Sequence, residues 1–227
     1  MFVITADQKA SRTDVDRAGS TRDDLGERYA GRLVLPVDRT SGDEVQALVG
    51  DAGTALDMVL LLTRAGHWSV GLGIGDVRTP LPRATREATG PAFIAARDAV
   101  TAAKRNATRF ALASDPPAVT DASDAGASDA PPGADAVEAL IALLLVTRDR
   151  RTPQGWDVVD RMAGGGTQRE VAAALGITPQ AVSTRLRTSG WRAERAALPG
   201  LVALLAQLDS RASAHAASPR PSDGADA

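Results

Sequence analysis

The chain has 227 residues, room for one large domain or two small ones, and 44% of them are apolar, enough for a packed core that Ala, Leu and Val must fill because aromatics make up only 3%. The absence of cysteine excludes disulfides, zinc fingers, iron–sulfur clusters and thiol catalysis, and two histidines are too few for a histidine metal cage. A formal net charge of −2 excludes a uniformly basic nucleic-acid binder, although charge can still be concentrated locally.

The opening MFVITADQ turns polar too soon for a signal peptide, and no apolar run approaches the ~18 residues of a membrane span. A cytoplasmic protein with no membrane partner is therefore expected. Residues 2–6, FVITA, are branched and apolar and end at Asp7, the pattern of a buried central strand. After a polar loop, residues 21–31 are helix-like. LVLPV (33–37) reads as a strand whose Pro36 places it at an edge or a bulge. Residues 40–44, TSGDE, have turn chemistry, and VQALV (45–49) is a second strand or the start of a helix, so that a hairpin would carry Asp43 and Glu44 near its tip.

Thr54 is expected to cap the next helix, which closes at Gly66. WSVGLGIGDV (68–77) is a glycine-laced strand. Its glycines do not lead into a helix, so close packing explains them better than a dinucleotide fingerprint. Pro91 opens a helix with Phe93, Ala96, Val100 and Ala103 on one face and Arg97, Thr101 and Lys104 on the other. RFALA (109–113) completes a β-α-β-β-α-β-α-β order. That order predicts an α+β N-terminal domain, a ferredoxin-like or palm-like sheet with its helices on one side.

Residues 114–134 are almost entirely Ser, Asp, Ala, Pro and Gly, the composition of a disordered linker. Helical segments follow at 135–147, 153–162 and, beyond Trp191, through 201–208. The expected division is an α+β domain over 1–113, a linker over 114–134, an all-α helix-turn-helix domain over 135–209 and a disordered tail over 210–227. Between Arg148 and Arg195 nine arginines face five acids, so this module is basic on an acidic chain.

Within it, TQREVAAALGITPQAVSTRLRTSGW (167–191) reads as two helices joined by a tight turn. Thr167 and Glu170 make a Thr-x-x-Glu capping box, and Val171 and Leu175 share a face. Gly176 ends the first helix in a left-handed conformation, Thr178 caps the second and Pro179 sits in its first turn. Burying Val182 and Leu186 turns Gln180, Ser183, Thr184 and Arg187 outward, where they can read base edges in a major groove. Arg185, Thr167, Gln168 and the cap Thr178 fall where phosphates would lie. The partner implied is double-stranded DNA, and a homodimer is expected because one recognition helix reads one half-site.

In the first domain, Asp7 at a strand end and Asp43-Glu44 at a hairpin would meet if the strand and hairpin are neighbours. Paired carboxylates there can hold Mg2+ beside a nucleotide; an ordinary loop cap and turn explain the same residues without one. The stretches VITADQKASRTDVDR, TSGDEVQALV, VGLGIGDV and GPAFIAARDAV resemble, in order, the SatD family over residues 1–113. Members with a C-terminal helix-turn-helix are described as MarR-type transcriptional regulators, although the chain after Trp191 reads as helix and not as a β-hairpin wing. The same pieces are similar, more distantly, to diguanylate cyclases and other class III nucleotide cyclases. That resemblance implies a nucleotide or metal site at Asp7, Gly42, Asp43, Glu44 and Lys104, beside a Ser69–Gly73 strand. Ser41, Val45 and Thr101 depart from the cyclase pattern, which favours nucleotide binding, as a small effector, over turnover. No catalytic residue is assigned.

Overall fold

A computed structural model describes residues 1–40, 42–115 and 131–217. Most of the 114–134 linker, the end of the 210–227 tail and Ser41 lie outside the described residues. The fold is α+β, with a five-stranded mixed sheet and eight α-helices among the described residues. The chain separates into two compact units, one holding Met1–Glu138 with the chain from Ala203 onward, the other Ala139–Val202.

In the first unit the elements run β1 (Phe2–Gln8), α1 (Ala18–Arg28), β2 (Leu33–Arg39), β3 (Glu44–Val49), α2 (Ala52–Ala65), β4 (Trp68–Ile74), α3 (Pro91–Ala103) and β5 (Phe110–Ser114). The strand order is β2-β3-β1-β4-β5, antiparallel except for the parallel β4–β5 pair. The first six elements make a split β-α-β arrangement, and α3 then crosses over to add β5. VQALV is a strand, and β1 is central and almost entirely buried. Pro36 is exposed on the edge strand β2, whose register to β3 shifts on both sides of Leu35, so proline costs the sheet no ladder bond there.

The helices do not share one side of the sheet. Alternation along β4 sends Trp68, Val70, Leu72 and Ile74 to one face and Ser69, Gly71 and Gly73 to the other. Trp68 lines one cleft together with Leu25 of α1 and Leu61, Leu62 and Ala65 of α2. The glycine face carries α3 instead. A Cβ on Gly71 would lie 2.2 Å from the Val100 nitrogen, and one on Gly73 2.2 Å from the Ala92 oxygen. Hydrogen side chains let the α3 backbone rest directly on the sheet, which is why this strand is laced with glycine. Val3, Leu48, Ala92, Phe93 and Ala96 fill the space around that contact.

Two local expectations need correction. The cap of α2 is Asp51, whose carboxylate accepts from the Thr54 amide at 2.8 Å, while Thr54 itself is buried. At the other end of the chain, the last helix α8 spans Trp191–Ala217 and takes in part of the sequence read as tail. Its Ala-rich end, RASAHAA, is low in complexity but high in helix propensity, and composition alone does not separate the two.

The second unit contains most of α4 (Ala134–Asp149), then α5 (Pro153–Ala163), α6 (Gln168–Leu175), α7 (Pro179–Thr188) and the start of α8. Helices α5, α6 and α7 pack pairwise around Val158, Val159, Val171, Ala172, Val182, Leu186 and Trp191. No helix among the described residues is long and apolar enough to cross a membrane.

Candidate functional site

Each unit carries one set of candidate residues. In the second unit, α6 begins with a reciprocal capping box. The Thr167 amide donates to Glu170 Oε2 at 2.8 Å, and the Glu170 amide donates to Thr167 Oγ1 at 3.3 Å. The Thr167 backbone amide first, and the Thr167 hydroxyl donating to the same oxygen at 2.8 Å second, hold the Glu170 carboxyl below its ordinary pKa. Gly176 ends α6 at φ 63°, and the Ile177 amide reaches back to the Ala172 oxygen at 3.0 Å, so the chain turns tightly into α7. Thr178 Oγ1 accepts from the Ala181 amide at 3.2 Å, and Pro179 occupies a first-turn position where no amide donor is needed.

This framework fixes which side of α7 looks outward. Val182 and Leu186 are buried to within 1% of full coverage, while Gln180, Thr184 and Arg187 are exposed on the opposite side and Ser183 is half-buried at the flank. No side chain of these four bonds to another described residue. Arg185 is half-buried and leans toward the core side, a position suited to the edge of a contact rather than its centre. Gln168 is half-buried in the first turn of α6, and Thr167 and Thr178 hold their hydroxyls on helix caps.

The basic character of this unit is smaller than the arginine count indicates. Arg148 and Arg151 turn inward onto Glu194: Arg151 Nη2 lies 2.6 Å from Glu194 Oε2, Arg148 bonds the other oxygen, and Arg151 Nε donates to the Ser189 oxygen at 3.0 Å. Both guanidinium groups stack on the Trp156 ring, 4.9 and 4.3 Å from its centre. Removing these two arginines and this one acid leaves seven arginines against four acids in the same span, a weaker but still positive surface.

In the first unit, β-sheet register brings two of the three predicted carboxylates together, Asp7 and Glu44, while Asp43 lies just before β3 and outside the β1–β3 ladder. Asp7 is paired across β1–β3 with Glu44 and across β1–β4 with Ser69, so the three project from one face, the face that carries α3. Lys104, at the end of α3, donates to Asp7 Oδ2 at 2.7 Å, and Arg109 Nη1 donates to the Lys104 carbonyl at 2.6 Å. Glu44 accepts a hydrogen bond from the Thr40 hydroxyl. Gly42 shapes the hairpin bend at φ 66°, and the Asp43 carbonyl receives the Gln8 amide at 3.0 Å. Ser69 entered the sequence reading only as the start of the strand beside the site, and Arg109 did not enter it as a site residue; the local turn that aims Arg109 leaves no sequence signal.

Among the described residues no three His, Cys, Asp or Glu side chains group together to hold an ion, and one Asp7 oxygen already serves Lys104. A divalent ion at this end would have to bring most of its ligands with it, as magnesium bound to a triphosphate does. One or two carboxylates suffice for that, and Asp7 and Glu44 supply them.

Comparison of the chain with family models, with curated proteins and with solved structures finds no match.

Proposed function

We propose that the protein is a cytoplasmic DNA-binding transcriptional regulator in which α6, the Gly176 turn and α7 form a helix-turn-helix. The observation that carries this reading is the division of α7 into a face held by Val182 and Leu186 and an opposite face of Gln180, Thr184 and Arg187, flanked by Ser183. Amide and guanidinium groups on a rigid helix match the donor and acceptor pattern of base edges in a major groove. The α6 amino end, with Thr167 and Gln168, and Arg185 with Thr178 at the margin of α7 would hold phosphates. The active form is a homodimer, each copy reading a half-site, and the first unit serves sensing or assembly.

A full-length protein incubated with fragmented genomic DNA at about 150 mM salt, where non-specific phosphate contacts are weakened, should retain fragments that share a motif, palindromic if the dimer binds symmetrically. Retention without a motif, or none, would remove this reading.

A second reading is favoured by the cross-strand pairing of Asp7 with Glu44 and by the Lys104 ammonium on Asp7. In it the first unit binds a nucleotide at Asp7, Gly42, Asp43, Glu44 and Lys104, with Lys104 facing phosphate and the two paired carboxylates holding its Mg2+. The bound ion would neutralise phosphate charge. Turnover of GTP or ATP by the wild type and its loss in Glu44→Gln would make the protein an enzyme; binding without turnover would make the nucleotide an effector.

A further inference from the structure

Helix α4 is apolar almost all round, and only half of that surface is covered by the described residues. Ala134, Val137, Ile141, Leu144 and Leu145 are buried on one side. On the other, Leu143 is 65% exposed, Leu140 45% and Val146 40%, with Ala136, Ala139 and Thr147 also exposed. At 3.6 residues per turn, all six of these exposed positions fall within about 60° of one line along the helix, opposite the buried side. Spacings of three and four between them are those of a helix-pairing seam. From Ala139 to Thr147 the helix carries no charged residue at all.

We propose that this stripe is the contact between two copies of the chain, each α4 lying antiparallel to the other about a two-fold axis near Leu143. The charges at the helix ends select this occupant and this direction. Exposed Asp135 lies in the first turn of α4, and exposed Arg150 follows directly after its last turn; Asp149, also exposed, falls about 120° round the helix from the Leu143 line and off the stripe. Antiparallel self-pairing about Leu143 sets Leu140 against Val146 and brings Asp135 of each copy within a turn of Arg150 of the other. Parallel pairing would stack like charges at both ends. Antiparallel pairing also aligns the helix dipoles favourably. A seam on one helix lies at the small end of specific interfaces, below about 1,200 Å² in total, so the dimer assembles in the micromolar range. The inference rests on the homodimer of the DNA-binding reading and adds where its two copies meet; it is tested without DNA, and a dimer that survives Leu143→Glu would sink this interface alone.

The test is sedimentation of the full-length protein across about 5 to 200 μM, the range in which a small interface assembles. The wild type should pass from monomer to dimer, and Leu143→Glu should remain monomeric at every concentration, with the wild type's melting temperature when both are measured at the dilute, monomeric end of the range. Because the chain has no cysteine, Leu143→Cys places a single thiol on the two-fold axis. It should form a disulfide-linked dimer under mild oxidation much faster than Ile94→Cys, a position that is 62% exposed elsewhere on the molecule. A wild type that stays monomeric throughout would overturn the proposal, leaving the stripe to a different protein. So would a dimer that survives Leu143→Glu, or equal crosslinking at positions 143 and 94.

Discussion

The carboxylate end of the sheet and the outer face of α7 are both polar, but they are polar in different ways. At the sheet end the fold already engages its charges: Asp7 with Lys104, Glu44 with Thr40, Arg109 with the Lys104 carbonyl, Arg39 with Asp16. Stability alone is reason enough for such groups. On α7 the side chains of Gln180, Ser183, Thr184 and Arg187 stand on a rigid, capped helix and bond to no other described residue, so stability does not require their identity. That contrast is why a recognition role is assigned first to α7, and why a ligand at the sheet end must compete with contacts the protein already makes.

The largest expected effect lies beneath the α7 face. Glu194→Ala leaves two guanidinium groups, one of them fully buried, without their acid partner. Losses of this kind amount to ~3–5 kcal/mol, measured here as a drop in the urea midpoint followed by tryptophan fluorescence. A change well under 1 kcal/mol would mean that the triad is not a closed unit. Gly73→Ala tests the other region. Its new methyl meets the α3 backbone, which cannot yield as a side-chain tip can, and about 1–3 kcal/mol or more should be lost in the same measurement.

Smaller effects separate the regions further. Thr167→Ala should cost roughly 1 kcal/mol by removing the α6 cap. Its partner Glu170 has a lowered pKa, so the stability it contributes is complete above the ordinary value of 4.5 and fades as pH falls through the lower folded value. The difference in melting temperature between wild type and Glu170→Gln should therefore shrink as the pH falls below 4.5; a constant difference would show that the ionised carboxylate is not what matters. Smallest is Lys104→Ala, which breaks an ion pair whose lysine is 47% exposed and should change stability by no more than about 1 kcal/mol. If it nonetheless abolishes binding of a magnesium nucleotide in calorimetry, the sheet end is a site; if nucleotide binds neither wild type nor variant, the ion pair is structural.

Much of this was legible in the sequence where the signal is local. Period-two runs, Pro36 and the Gly66 and Gly176 stops marked β1 to β5 and the turn before α7, and capping residues marked α6 and α7. Which face of the sheet α3 covers was not legible, because periodicity identifies the buried side of a helix and says nothing of what it lies against. Only Gly71 and Gly73 hinted at it, through space they leave for a backbone. The inward turn of Arg148 and Arg151 was hidden for the same reason: their acid lies 46 and 43 residues away, and an arginine count cannot tell a buried ion pair from a phosphate clamp. At the sheet end the convergence of Asp7 with Glu44 was readable once the two strands were taken as neighbours, while the contact of Lys104 with Asp7 spans 97 residues and no local pattern marks it.

The central claim is that the outer face of α7 reads bases. The most direct measurement is a fluorescence-anisotropy titration of the full-length protein at about 150 mM salt, with the motif recovered from genomic fragments and with a scrambled duplex of the same composition. The wild type should prefer the motif by about a thousandfold or more, and Arg187→Ala should lose roughly 1–3 kcal/mol on the motif while binding the scrambled duplex as before. Equal affinity of the wild type for both duplexes, or an equal loss on both from Arg187→Ala, would contradict base reading by this helix.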